Sequence, residues 1–172
     1  MQAMGIDPST AKGLVCAWYD TRGRWQVYRT QPTHKDSVAL INAHQLHTVI
    51  AMARRDGVRA AMYESPMMAR SHSVHAKLAA CMGQTLLCLS MVAPDFTLGT
   101  VHPSTWRAAL NLRVQGTDWK NVAYRAVQAR YGLSIDNDDV ADAILVSTYG
   151  SLSLSGHLVK DRKGTYRETV EA

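Results

Sequence analysis

Asp7, Glu64 and Asp142, with Asp138 or Asp139 one turn before it, are the residues of this chain whose types and settings could do chemistry. Each carboxylate sits beside or within an apolar run rather than on an obviously solvated stretch. Asp7 follows Met4-Gly5-Ile6, and Glu64 ends Ala60-Ala61-Met62-Tyr63 just before Ser65-Pro66. A carboxylate at the end of a central strand is poorly solvated and needs a cation, a hydrogen-bond network or a raised pKa. Asp7 has a simpler reading too, as a cap on the turn through Pro8, Ser9 and Thr10. Asp136 and Asp138 open the last predicted helix, where the helix dipole accounts for acids. Asp142 lies a full turn further in, between Ala141 and Ala143, and the dipole does not account for it. Spacing of three puts Asp139 on the face of Asp142, and spacing of four does the same for Asp138, so geometry leaves that choice open. Several acids converging repel one another, and hard divalent cations answer that repulsion. Mg²⁺ prefers oxygen ligands, and two such ions about 3.5–4 Å apart suit in-line hydrolysis of a phosphodiester. The expected products carry a 5′ phosphate and a 3′ hydroxyl.

The elements that must position these acids are legible from pattern. Met4–Asp7, Gly13–Tyr19 and Trp25–Arg29 read as three strands of an antiparallel meander, punctuated by Pro8-Ser9-Thr10 and Arg22-Gly23. Apolar residues recur at helical spacing from Lys35 to about Asp56, through Val38, Ile41, Leu46, Val49, Ile50 and Ala53. Val58–Tyr63 reads as a short buried strand, Ser73–Met91 as a long helix and Phe96–Val101 as a fifth strand. Ser104 is a candidate cap for a short helix through Leu110. Asn111–Asp118 reads as a loop, Trp119–Tyr131 as a helix stopped by Gly132, and the last helix begins at Asp136 or Asn137 and runs to about Leu152. The order predicts an α/β fold, a ribonuclease H-like mixed five-stranded sheet flanked by helices. Residues 1–154 form the expected domain, and residues 155–172 a basic C-terminal tail of little order.

Composition agrees with this reading. The 172 residues are 47% hydrophobic and 19% charged, as a globular chain should be. A net charge of +5 suits a polyanionic partner, and the later half carries basic residues at Arg107, Arg113, Lys120, Arg125, Arg130, Lys160, Arg162 and Lys163. Three cysteines, Cys16, Cys81 and Cys88, fall in no metal-ligand spacing and read as buried free thiols. No run approaches the length of a membrane span, and no leader pattern precedes the first strand, so a cytoplasmic site in a bacterial or phage-infected cell is expected.

The motifs together resemble the RuvC-type Holliday junction resolvases of the ribonuclease H-like superfamily. Gly5-Ile6-Asp7-Pro8-Ser9 is similar to the opening Gly-Ile-Asp-Pro-Gly that carries that family's first acid. Glu64 is similar to the second acid, Ala79 to Gln84 to the helix packed behind it, and Asp139-Val140-Ala141-Asp142-Ala143 to the Asp-x-x-Asp-Ala pattern of the third and fourth. The resemblance selects Asp139 over Asp138 and spans about residues 4 to 150. It implies Mg²⁺, with Mn²⁺ as a substitute, held by Asp7, Glu64, Asp139 and Asp142, and a homodimer acting on four-way junctions. It also implies Lys120 as a catalytic lysine near the scissile phosphate and Arg107 as a DNA contact. Arg70 and His72, in the loop after Glu64, read as further phosphate contacts, as does Arg113.

Two departures bear on substrate. Ser9 replaces the second glycine of the motif, and no Phe follows Glu64 to stack on bases, leaving Met67 or Met68 as an apolar wedge. These features resemble phage-type members, which implies a looser nuclease for branched DNA, including flaps and forks. Other readings are a junction-binding protein without catalysis, a ribonuclease H-type enzyme for hybrids, and an ATP-using enzyme of the actin and sugar-kinase fold, for which the chain is too short.

Overall fold

The structure, a computed structural model, describes residues 1–9, 13–35, 38–65, 72–112, 119–135, 137–160 and 166–168. Its elements run β1 (Ala3–Ser9), β2 (Gly13–Tyr19), β3 (Trp25–Arg29), β4 (Pro32–Lys35), β5 (Val38–Ile41) and α1 (Ala43–Arg55). They continue through β6 (Ala60–Glu64), α2 (His72–Val92), β7 (Thr97–Val101), α3 (Pro103–Ala109), α4 (Trp119–Tyr131), α5 (Asp138–Leu154), β8 (Leu158–Lys160) and β9 (Tyr166–Glu168).

The main sheet has the order β3-β2-β1-β6-β7. The meander β1–β2–β3 is antiparallel, while β6 and β7 join parallel to β1, so the sheet is mixed. This is the expected ribonuclease H-like α/β architecture. Strand alternation divides the core in two. Met4, Ile6, Leu14, Cys16, Trp18, Ala61 and Tyr63 face α1 and α2. Val15, Ala17 and Val101 face the other way, into a core built with α3, α4 and α5.

α5 is the helix most deeply enclosed. Every residue from Ala141 to Gly150 except Asp142 is buried. Its start is set by Asn137, whose side-chain oxygen accepts from the Val140 N–H at 3.2 Å. α4 stops at Gly132 as the sequence predicts, with φ of 68° at that glycine.

Three local readings change. The predicted helix from Lys35 begins only at Ala43, and a β4–β5 hairpin occupies residues 32–41. Val38 and Ile41 are three apart and fit one helical face, but Asn42 caps the helix, accepting from the Gln45 N–H at 3.1 Å. A cap at Asn42 excludes the preceding residues from the helix. The short helix α3 is capped by His102 rather than Ser104, with Pro103 in its first turn. His102 Nδ1 accepts from the Ser104 N–H at 3.3 Å, leaving Ser104 inside the helix. In the expected tail, β8 and β9 pair antiparallel, with Leu158 packed on the α5 side of the core. That apolar anchor is what the polar composition of the segment concealed.

Candidate active site

Parallel pairing of β1 with β6 sets Ile6 opposite Tyr63, so the next residues, Asp7 and Glu64, leave neighbouring strands at one level. Asp7 lies across from Val15 and Glu64 across from Val101, both in the core under α5. Alternation therefore turns both acids toward α5. Gly5 brings that helix close. A side chain there would overlap the Ala143 carbonyl oxygen and the Ser147 amide nitrogen. Two bonds lock the contact: Ser147 Oγ donates to the Ala3 carbonyl at 2.7 Å, and the Ala3 N–H donates to Ser151 Oγ at 3.0 Å. With α5 pinned to β1, Asp139 and Asp142 of its first turns are carried to the ends of β1 and β6.

The electrostatics record this convergence. The Asp7 carboxyl is pushed well above the usual range by burial, then by Glu64, Asp142, Asp139 and Asp138 in that order. Glu64, 9% exposed, is pushed up to about 7 by burial and by Asp142, against the opposing pull of Arg107 and Trp106. Asp142 is pushed up to about 6 by burial, with Arg107 opposing and Asp138 and Asp139 adding to the rise. Burial first, and proximity to one another second, disfavour the ionised form of these acids.

Protein groups supply part of that charge. The Trp106 indole N–H, fully buried, donates to Glu64 Oε2 at 3.2 Å. Arg107 donates from Nη2 to Asp142 Oδ2 at 3.3 Å and lies over the Trp106 ring, 4.8 Å from its centroid. Arg29, at the end of β3, donates from both Nη atoms to Asp139 Oδ2 at 3.1 Å. Its Nη2 also reaches Asn137 Oδ1, the cap of α5, at 3.2 Å.

The donor set consists of hard carboxylate oxygens and suits Mg²⁺ or Mn²⁺ rather than a soft metal. Burial that raises Asp7, Glu64 and Asp142 would be opposed by a divalent cation, which favours their ionised forms. In the arrangement described, however, no three His, Cys, Asp or Glu side chains among the described residues are gathered as one ion requires.

Other expected residues fall as follows. Arg107 joins the acids directly. His72 is exposed at the start of α2. The backbone of Lys120 lies in the first turn of α4. Met67, Met68, Arg70 and Arg113 lie outside the described residues. Sequence reasoning did not foresee Arg29, whose partner is 110 positions away, and nothing in the spacing connects them. The Trp106 bond to Glu64 was not foreseen either; a polar handle on a Trp beside Arg107 was the available signal.

No protein-family model matches the chain, and no curated protein sequence matches it. Solved structures do. The chain is similar to Thermus thermophilus RuvC in complex with Holliday junction substrate, at TM-score 0.66 and 16% identity, covering 98% of this chain and 99% of that one. It is similar to a second Thermus thermophilus RuvC structure at TM-score 0.63 and 18% identity, covering 98% of this chain and 100% of the other. At such identities the likeness establishes the shared fold along nearly the whole chain. No helix among the described residues is long and apolar enough to cross a membrane.

Proposed function

We propose that the chain is a divalent-metal-dependent endonuclease that cuts branched DNA, four-way junctions first among its substrates. The observation that carries this reading is the set of buried, mutually repelling carboxylates where β1, β6 and α5 meet. A fold shared with solved RuvC structures, one of them bound to a Holliday junction, supports the substrate class.

In this reading Asp7, Glu64, Asp139 and Asp142 hold Mg²⁺ or Mn²⁺. A bound cation would supply Lewis acidity toward the phosphodiester and lower the pKa of a coordinated water. The chain's own groups perform the remaining work. Trp106 fixes the Glu64 carboxylate, and Arg107 fixes Asp142 while keeping the first turns of α5 partly neutralised. Lys120, Arg107, Arg113, Arg70 and His72 bind phosphate, and Met67 or Met68 wedges between bases at the branch. Products carry a 5′ phosphate and a 3′ hydroxyl. Residues 1–154 act as the nuclease domain, and the basic segment from 155 onward adds positive charge for the backbone. A homodimer would set two such sites on opposite strands of a junction.

A second reading, a junction-binding protein without catalysis, draws on the arginine contacts to Asp139 and Asp142 and on the absence of a gathered three-ligand group among the described residues. One experiment separates the two. Synthetic four-way junctions, flaps, RNA–DNA hybrids and linear duplexes are incubated with Mg²⁺, Mn²⁺ or Ca²⁺, and product ends are mapped. The nuclease reading expects paired symmetrical nicks with Mg²⁺ or Mn²⁺, lost in Asp7→Asn with junction affinity retained. Junction binding without cutting in any metal supports the binder, and preferential cutting of the hybrid supports a ribonuclease H-type enzyme.

A further inference from the structure

Arg29 stands in line with the acids by register alone. Asp7 pairs with Val15 on β2, and Val15 pairs with Arg29 on β3. Members of such a row point to the same face of a sheet, so Arg29 shares the acid-bearing face two strands, roughly 10 Å, from Asp7. The first turn of α5 lies within reach of the Arg29 side chain. Both terminal nitrogens converge on one oxygen, Asp139 Oδ2, each at 3.1 Å, and one of them also touches the Asn137 cap at 3.2 Å. Asp139 is 15% exposed and Arg29 27%, so the pair is only partly screened by water.

A ligand for a hard cation and a guanidinium cannot use the same carboxylate oxygen at full strength. We propose that Arg29 is a resident counter-cation for the acid cluster: it neutralises Asp139 in the cation-free chain and competes with the divalent ion for Oδ2. Arg107 holds Asp142 Oδ2 in the same way from α3. The inference rests on the metal-dependent reading above and adds a determinant of metal affinity. Arg29 acts through Asp139 and is a positioning residue in this scheme, one that sets how much cation is needed before the four acids close on it.

The test compares the full chain with Arg29→Gln, and with Arg29→Met if the Gln variant does not fold. Mn²⁺ binding is measured by calorimetry without DNA, and thermal midpoints are measured in EDTA and in saturating Mn²⁺. Loss of the positive charge is expected to lower the midpoint in EDTA while tightening Mn²⁺ binding about three- to tenfold. The Mn²⁺-induced rise in midpoint should grow accordingly. Arg29→Lys, which keeps the charge, should stay near the wild-type affinity. A merely structural role lowers the midpoint and leaves the Mn²⁺ affinity unchanged; a role in pre-arranging a ligand weakens it. Either result overturns the inference while leaving the nuclease reading intact, provided that wild type binds Mn²⁺. If neither wild type nor the neutral variant binds Mn²⁺, the metal-dependent reading falls and this inference with it.

Discussion

Gly5 on β1 lies so close beneath Ala143 of α5 that only a hydrogen fits in the position of its side chain. The contact is backbone against backbone, and a flexible neighbour cannot yield to relieve it. Because Asp7 is two residues along the same strand and Asp142 adjoins Ala143, this one approach sets how near the two acids come.

Gly5→Ala is therefore expected to lever α5 off the sheet. Stability should fall by at least about 2–3 kcal/mol, as for overpacking against a rigid partner. The electrostatic pressure on Asp7 should relax as α5 retreats. Chemical denaturation with and without Mn²⁺ checks both parts: the variant should be less stable and gain less from the ion. An alanine accommodated at no measurable cost would contradict the packing described.

Trp106→Phe removes the donor to Glu64 and keeps most of the buried ring. A carboxylate deprived of a buried hydrogen bond should cost about 1–3 kcal/mol. With the opposing pull of Trp106 gone, Glu64 should titrate above its present value of about 7. Carboxyl NMR titration of the cation-free protein would show the shift, and an unchanged Glu64 would mean that the indole contributes packing alone.

Arg107→Gln takes the guanidinium from Asp142, whose carboxyl should then rise above about 6. Arg107→Lys keeps a charge but loses the planar stack on Trp106, so a smaller rise is expected. The same NMR titration ranks the three proteins, and an order other than wild type, Lys, Gln would refute the role assigned to Arg107.

The pH dependence of stability has a definite sign. Burial, then repulsion from Asp142, raises Glu64 from 4.5 to about 7, so the folded chain holds this proton more tightly than the unfolded one. Stability from this group is complete below the unfolded value and is lost as pH rises through the native one. In EDTA the protein should lose on the order of 3 kcal/mol from Glu64 between about pH 4.5 and 7. Asp142, raised to about 6, adds in the same direction. If the proposed metal site is right, saturating Mn²⁺ would bind the ionised carboxylates and should flatten the profile. Thermal melts across this range in both media test it; stability that climbs with pH in EDTA would exclude the acid cluster as described.

Much of the fold was legible because its signals are local. Gly23 and Gly132 mark a turn and a helix stop, the meander alternates, and α2, α4 and α5 are long enough for their period to be unambiguous. The β4–β5 hairpin was misread because Val38 and Ile41, three apart, satisfy a helical face and a short extended segment alike. The cap at Asn42 decides between them, and its hydrogen bond to Gln45 exists only once the helix has formed. His102 was passed over as a cap because imidazole rarely takes that role, although Pro103 at the first helical position pointed to the boundary.

Asp7, Glu64 and Asp142 stood out in the sequence because an acid beside or inside an apolar run is costly enough to need a reason, and cost is a property of local composition; Asp139 stood out from Asp138 only through the family resemblance. Arg29 and the Trp106 hydrogen bond were not readable. Each joins residues whose nearness depends on strand order and on α5 lying against Gly5, and a one-dimensional pattern carries no distance between residue 29 and residue 139. Which carboxylates lie near one another, and which are held by a guanidinium, was decided by the tertiary structure, because charge interactions follow separation in space rather than along the chain.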